Sequence, residues 1–231
     1  MTHTQNGSSE ELQHSIDIQP VLGSNAISTP LHKRRKNTAA SELNHRVRNT
    51  LATVQSICSL TLRSSGAPPE LRNILESRIM ALSKFNDLVM REQWTSVALK
   101  DVVEAALAAH FYRDCQSPFS LAGDAVRLHS RHVVIFGMAF HELAANAVKY
   151  GALRGDRGHV DITWRMDDEH LCLKWQERDG PPIDMPSHKG FGTRLIERTL
   201  PAEVGGISRV SYPRTGMMCE IHMPVTELHS F

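Results

Sequence analysis

One histidine of this 231-residue chain stands on the polar side of a predicted helix. At about 100° per residue, the apolar side chains of that segment fall on one stripe. The stripe consists of Leu43, Val47, Leu51, Val54 and Cys58. His45 points away from it, and Glu42 lies three residues earlier, within side-chain reach. Since a structural histidine would lie on the stripe, we expect His45 to be either a reactive group or an ordinary surface residue.

A carboxylate, an amide and an ammonium share one stripe of a second predicted helix. Glu142, Asn146 and Lys149 stand at positions i, i+4 and i+7. An asparagine oxygen can bind Mg²⁺, a carboxylate can hold a metal-bound water or accept a proton, and a lysine can meet phosphate oxygens. The spacing therefore suits a nucleotide site, although it also suits a solvent-exposed face stabilised by i, i+4 pairs.

Two further segments favour the nucleotide site. Glu177 and Asp179 end a predicted strand just before Gly180, where a carboxylate can accept a hydrogen bond from the exocyclic amine of adenine. Two glycines then precede a predicted helix, in the order Gly190, Phe191, Gly192, Thr193. Their free backbone N–H groups would face a triphosphate. A Gly-x-Gly alone is weak, but its order after the other motifs strengthens the prediction.

The elements that must carry these residues fall into three parts. Residues 1–38 are polar and lack periodicity, which predicts a flexible tail. Helices over 39–63 and 70–94 form an antiparallel hairpin, because each has one apolar face and a short Gly/Pro loop joins them. One hairpin buries little surface by itself, so pairing with a second copy into a four-helix bundle is expected.

From residue 96 to 231 the pattern predicts an α+β sandwich, with helices on one side of a mixed, mostly antiparallel sheet. The predicted elements are a strand entry and helix at 97–110, short strands at 119–121 and 126–128, a helix at 131–150, strands at 160–165 and 170–176, a helix after Gly192, and a closing hairpin of 207–210 with 217–223.

Composition narrows the class of protein. Hydrophobic content is 41%, charged content is 22% and the net charge is +1, so nothing favours nucleic acid as a partner. No apolar run is long enough to cross a membrane, and no secretory leader begins the chain. The four cysteines have no metal spacing. We therefore expect a cytoplasmic protein without membrane insertion.

The order of the motifs resembles a sensor histidine kinase with a GHKL-type (Bergerat) ATP-binding domain. More narrowly, the chain is similar to the HWE histidine kinases, which are named for a histidine in the asparagine motif and for a W-x-E. Here these residues are His141 and the pair Trp175 and Glu177. Residues 42–51 resemble the phosphoacceptor segment of that family, and residues 205–224 resemble its closing hairpin. The resemblance covers about residues 41–225.

The resemblance implies a role for each matching residue. His45 would be the phosphoacceptor. The spacing itself predicts that Glu42, three residues earlier, orients the imidazole by accepting its N–H. Asn146 would bind Mg²⁺, and Glu142 would assist through a metal-bound water or as a base. The other nucleotide contacts would be Lys149, Tyr150, Glu177 or Asp179, Gly180, Gly190, Phe191, Gly192 and Thr193. His141 and Trp175 would have structural roles.

The implied function is a histidine protein kinase. It would autophosphorylate His45 from Mg-ATP as a homodimer, and would then pass the phosphoryl group to an aspartate of a response-regulator receiver domain. The alternative is a histidine phosphotransfer adaptor with a weakened ATP-binding domain. A serine-kinase anti-sigma factor is a third possibility, but it needs no histidine-bearing hairpin.

Two departures from the family pattern affect these expectations. The family has E-x-G-G-P after the tryptophan, whereas this chain has Asp179 in place of the first glycine. Either Glu177 or Asp179 is therefore a candidate acceptor for adenine, and the extra side chain would crowd the base. The 38 residues before the hairpin are also too few and too polar to build a sensor domain.

Overall fold

The computed structural model describes residues 30–108, 117–186 and 188–228, with side chains from Glu42 onward. The predicted hairpin is present: helix α1 spans Pro30–Ser64 and helix α2 spans Pro69–Arg91. Helix α1 begins nine residues before the predicted start, so the expected tail is helical from residue 30, and residues 1–29 lie outside the described part. Helix α2 ends before the predicted Trp94, because Gln93 and Trp94 both adopt left-handed backbone angles (φ 54° and 63°).

The rest of the chain forms the predicted α+β unit. Its first half contains β1 (Ser96–Ala98), α3 (Leu99–Leu107), β2 (Phe119–Gly123), β3 (Arg127–His129) and α4 (Ser130–Lys149). Its second half contains β4 (His159–Met166), β5 (His170–Arg178), α5 (Phe191–Arg194), α6 (Leu200–Val204), β6 (Ile207–Ser211) and β7 (Met218–Pro224). A π-helical turn, Leu195–Thr199, joins α5 to α6.

The main sheet has five strands in the order β2-β4-β5-β7-β6. Strand β2 pairs with β4 in parallel, and the other three pairs are antiparallel, so the predicted mixed sheet is confirmed. Burial alternates along the central strands, which places one face of the sheet in the core. That face shares a single apolar cluster with the buried side of α4, where Phe136, Phe140 and Leu143 are fully buried.

Helix α2 packs against α4 and so connects the hairpin to the sheet-bearing unit. One contact between these helices joins Phe85 of α2 and Gly137 of α4. Phe85 is fully buried, and a Cβ atom at position 137 would lie 2.5 Å from its ring. A glycine is therefore required for this contact, and the contact places the N-terminal half of α2 beside the polar face of α4.

Apolar side chains of α1 remain exposed in the single chain. Val54, Ile57 and Leu60 expose 42%, 58% and 67% of their surface. Among the described residues, no helix combines the length and the hydropathy needed to traverse a bilayer. The exposed stripe of α1 is thus an unpaired helix face of the kind that another helix can cover.

Candidate nucleotide site

A cavity of about 920 Å³ opens between the N-terminal half of α2 and the polar face of α4. It is lined by residues of the hairpin, of α4 and the turn after it, of the end of β5, and of the segment that leads into α5. Its walls include most of the residues expected from the sequence: Glu142, Asn146, Lys149, Tyr150, Glu177, Gly190, Phe191, Gly192 and Thr193. The structure therefore brings three separate sequence motifs to one place.

Helix α4 presents the predicted polar stripe to this cavity. Glu142 exposes only 5% of its surface, Asn146 is half-buried and Lys149 is exposed. The exposure of the stripe therefore increases toward the C-terminal end of α4. Tyr150, which follows the last residue of α4, is 69% exposed at the rim.

The carboxylate of Glu142 is held by an arginine that the sequence reasoning missed. Arg78 of α2 donates from Nε to Oε1 at 2.6 Å and from its NH2 group to Oε2 at 2.8 Å. The guanidinium also lies over the ring of Phe191, with 4.1 Å between Cζ and the ring centroid. The sequence offers little signal for this residue, because its partner is 64 positions away and charged residues are common on α2.

Ser77 and His141, the residues that precede Arg78 and Glu142, make a second contact between α2 and α4. Ser77 Oγ lies 3.2 Å from His141 Nε2. His141 is buried, and this burial lowers the pKa of its imidazole, although the adjacent Glu142 opposes the shift. A neutral imidazole matches a hydroxyl partner. Consecutive residues of α2 thus engage consecutive residues of α4.

Glu177 occupies the floor of the cavity at the end of β5. It is 3% exposed, and its Oε2 accepts a hydrogen bond from the backbone N–H of Ala152 at 2.8 Å. Burial raises the pKa of this carboxyl, and the hydrogen bond from Ala152 partly opposes the rise. Gly151 makes room for it, since a Cβ there would lie 2.1 Å from the same oxygen.

The second candidate carboxylate lies elsewhere. Asp179 is exposed, has a left-handed backbone (φ 54°) and is not among the residues that line the cavity. Gly180 does not line it either. Its role is packing, because a Cβ at position 180 would lie 2.2 Å from the Cα of Ala152. Of the two carboxylates that the sequence left open, the geometry therefore favours Glu177 as the one that meets a bound base.

The two glycines of the segment that enters α5 have different surroundings. Gly192 is buried against Glu142, and a Cβ at position 192 would lie 2.7 Å from Glu142 Oε2. Gly190 is exposed, with nothing within 4 Å of such an atom. Gly192 is therefore required for the close packing of this segment on α4, whereas Gly190 is left open to a ligand.

His45 is exposed, as predicted, but it lies well away from the cavity. Contacts across the hairpin pair Arg48 with Asp87 and Ser59 with Glu76. On that register, Arg78 faces a part of α1 about twelve residues from His45, roughly 18 Å at 1.5 Å per residue. A single chain in this conformation does not bring the histidine to the cavity.

The predicted orienting contact of His45 is absent from the structure. Glu42 accepts a hydrogen bond from Arg46 at 2.6 Å, four residues along the same helix, and is not bonded to the imidazole. The neighbouring Asn44 is held instead, since its Oδ1 accepts a hydrogen bond from Trp94 Nε1 at 3.2 Å. In this conformation the carboxylate forms an i, i+4 ion pair with Arg46, and the orienting role of Glu42 stays a prediction.

The oxygen ligands available for a metal ion are few. Among the described residues, no group of three or more His, Cys, Asp or Glu side chains is placed to hold one. Asn146 and Glu142 are neighbours on the cavity wall. Such a pair fits Mg²⁺, which is commonly bound by one or two protein oxygens together with water and substrate phosphates.

Comparisons with known proteins point to one family. A model of the HWE histidine kinase family matches residues 42–125. A blue-light-activated histidine kinase of Brucella ovis is 32% identical over 212 residues, which are 89% of this chain and 43% of the relative. Its counterpart from Brucella anthropi is 31% identical over 195 residues, which are 83% of this chain and 40% of the relative. The chain thus spans less than half the length of these curated relatives.

A solved structure shows the same fold. The histidine kinase domain of a blue-light-activated histidine kinase from Erythrobacter litoralis superposes with a TM-score of 0.55 at 20% identity. The match covers 84% of this chain and 94% of that domain. It confirms the predicted architecture, a helical hairpin followed by an α+β sandwich of the histidine kinase type.

Proposed function

The chain belongs to the HWE histidine kinase family, and from this membership we propose that it autophosphorylates His45 from Mg-ATP and transfers the phosphoryl group to a response regulator. In this proposal residues 39–95 form the dimerisation and phosphotransfer hairpin, and residues 96–231 form the catalytic ATP-binding domain. The observation that carries it is the single cavity that joins the α4 stripe, the buried Glu177 and the glycine segment.

The cavity suits a nucleotide in both its apolar and its polar parts. Glu177 supplies an ionisable acceptor at the floor for the exocyclic amine of adenine, and Ile183 and Met217 add apolar wall there. Lys149 supplies positive charge for phosphate oxygens, and the exposed Gly190 at the cavity wall would offer its backbone N–H to them. Base and phosphates therefore have separate partners.

The same cavity contains residues that could hold Mg²⁺. Asn146 would hold the ion through its side-chain oxygen, and Glu142 would act through a bound water. The ion would neutralise charge on the transferring phosphoryl group. In this conformation each Glu142 oxygen already accepts one hydrogen bond from Arg78, so fewer of its lone pairs are left for such a water.

The transfer step is an in-line displacement at the γ-phosphorus. A neutral imidazole nitrogen of His45 forms the new N–P bond, the bond to the β,γ-bridging oxygen breaks, and ADP leaves with that oxygen. His45 must first reach the cavity, which requires the ATP-binding domain to move along the hairpin. An aspartate of a receiver domain then takes the phosphoryl group and returns His45 to its starting state.

Homodimerisation through the hairpin completes the proposal. The exposed Val54, Ile57 and Leu60 follow one another at three-residue intervals along α1, and Met80 of α2 is 63% exposed. A second copy that buries these side chains would form the four-helix bundle expected of paired hairpins. Size-exclusion chromatography with light scattering measures this directly: Ile57→Glu should yield monomers if the stripe is the interface.

Calorimetry and labelling together test the kinase assignment. We expect the chain to bind ATP in calorimetry and to take acid-labile label from γ-labelled ATP. His45→Gln should retain ATP binding and lose the label, while Asn146→Ala should lose the label and keep the fold. His170→Gln, on β5 and remote from the hairpin, is the matched control and should be labelled normally. Acid-labile label in His45→Gln would contradict the role of His45.

The second candidate function is a phosphotransfer adaptor that does not use ATP. The observation in its favour is Asp179, a non-glycine residue in a left-handed conformation where the family has glycine. The same calorimetry separates the two functions. An adaptor would fail to bind ATP, yet His45 would still accept a phosphoryl group from a phosphorylated receiver domain.

A further inference from the structure

Two adjacent residues of the hairpin contact two adjacent residues of the ATP-binding domain. Ser77 lies 3.2 Å from His141, and Arg78 binds Glu142 through two hydrogen bonds. We name these four residues the docking pairs. Both contacts lie on the wall of the cavity, so they belong to the site and also join the two parts of the chain.

The Arg78–Glu142 pair is strong enough to influence the position of the ATP-binding domain relative to the hairpin. Its two short, parallel hydrogen bonds have the bidentate geometry in which arginine binds carboxylates best. The Glu142 side chain is 7% exposed and that of Arg78 is 25% exposed, so water screens the pair weakly. Removal of the arginine would leave a buried carboxylate without its charged partner.

The same arginine contacts the segment that enters α5. Its guanidinium lies over the ring of Phe191, between the two glycines. Arg78 therefore contacts both Glu142 and Phe191. A shift of the hairpin relative to the domain would change the position of both, so the docking pairs couple the hairpin to the wall of the nucleotide cavity.

The docked position keeps the cavity away from the phosphoacceptor. The residues of α2 that line the cavity run from Glu70 to Arg78, at the loop end of the hairpin. His45 lies toward the opposite end, roughly 18 Å along the helix. A parallel two-fold copy of the hairpin would place its own His45 at the same height, so dimerisation alone does not close this gap.

We propose that Arg78 is a positioning residue which acts through Glu142: it holds the ATP-binding domain in a resting position, and phosphorylation of His45 requires that this pair be broken. The inference rests on the proposed function for its kinetic part. While the pair is formed, Glu142 is occupied and the cavity is out of reach of His45. Once it is broken, the carboxylate is free and the domain is able to move.

Two variants of Arg78 and one matched control test this inference in the full chain. Arg78→Ala removes both hydrogen bonds and the ring contact. Arg78→Lys keeps the charge but cannot make the bidentate pair. Arg72→Ala is the control, because Arg72 lies on the same helix and does not line the cavity. Circular dichroism checks that each variant folds. If Arg78→Ala does not fold, Arg78→Lys alone tests the inference.

The kinetic readout separates positioning from a merely structural role. At saturating ATP, Arg78→Ala should take acid-labile label about five- to ten-fold faster than the unaltered chain, and Arg78→Lys should show a smaller rise. Calorimetry measures the dissociation constant for ATP in each variant, so that a change in nucleotide binding is separated from a change in the rate of labelling. A variant that merely loosens the structure would be labelled more slowly. Label that is slower or unchanged in the folded Arg78 variants overturns the inference.

A second readout needs no nucleotide. Hydrogen exchange of the amides in α5 should be roughly ten-fold faster in Arg78→Ala than in the unaltered chain or Arg72→Ala, because Phe191 loses its contact with the guanidinium. Unchanged exchange there overturns the docking role. If the unaltered chain takes no label at all, the proposed kinase function fails, whereas the exchange result still decides whether Arg78 docks the domain.

Discussion

Glu177 and Ala152 are joined at the floor of the cavity by a hydrogen bond of 2.8 Å from the backbone N–H of Ala152 to Glu177 Oε2. The bond fixes the direction of a carboxylate that is otherwise buried. The buried carboxylate is poorly solvated when it is ionised. Burial therefore raises the pKa of Glu177.

The first prediction concerns the pH dependence of stability through Glu177. Because its pKa is raised on folding, the folded chain holds the proton more tightly than the unfolded chain, whose value is near 4.5. The stability that this group contributes is complete below that pH and is lost as pH rises. Glu177→Gln removes the effect, so its free energy of unfolding should increase relative to the unaltered chain between about pH 4.5 and pH 7. Urea unfolding at several pH values measures the difference, and a difference that is independent of pH would contradict the assignment.

The second prediction concerns the strained backbone at Asp179. Asp179→Gly should stabilise the chain by roughly 0.5–1 kcal/mol, because glycine adopts a left-handed conformation without the Cβ penalty. Asp179→Ala is the matched control: it removes the carboxylate but keeps the Cβ, so it should not stabilise. Both free energies come from urea unfolding at neutral pH. Equal stabilisation by the two variants would mean that charge, not backbone strain, matters at this position.

The third prediction compares the two glycines of the α5 entry. Gly192→Ala places a methyl group 2.7 Å from Glu142 Oε2, and the crowding should cost about 1–3 kcal/mol of stability. Gly190→Ala meets nothing within 4 Å and should stay within about 0.5 kcal/mol of the unaltered chain. Thermal unfolding measures both. If the two variants were equally destabilised, the close packing of Gly192 on Glu142 would not be the cause.

The fourth prediction concerns His141 in mild acid. Burial lowers the pKa of His141 below its ordinary 6.5, so protonation favours the unfolded chain, and the stability present above that value is lost as pH falls. His141→Gln should therefore reduce the loss of stability between about pH 7.5 and pH 5.5. Chemical unfolding at the two pH values checks this.

His132 supplies the matched control for that experiment. Burial also lowers the pKa of His132, yet this residue lies at the other end of α4, outside the cavity. His132→Gln should reduce the same pH dependence while leaving the exchange of α5 amides unchanged. In contrast, His141→Gln removes one of the docking pairs and should accelerate that exchange. If the two variants gave identical exchange, His141 would not contribute to docking.

Local patterns carried most of the fold prediction. The 3.6-residue period placed the hairpin and α4, and strict alternation placed β4 and β5, because each pattern reports which face of one element is buried. The same logic predicted the stripe of Glu142, Asn146 and Lys149, which are neighbours within a single helix. Helix ends were less accurate: α1 starts earlier than expected, since its first turns carry no apolar signal to mark them.

The sequence by itself determined the family, the order of the elements and the residue types available at the nucleotide site, because these depend on neighbours along the chain. Only the tertiary structure decided which side chains meet across it. It buried Glu177 and left Asp179 exposed, two residues further along the chain. It also paired Arg78 with Glu142 over 64 positions and set His45 apart from the cavity. The physical reason is that such contacts depend on the packing of α2 against α4, which no local period encodes.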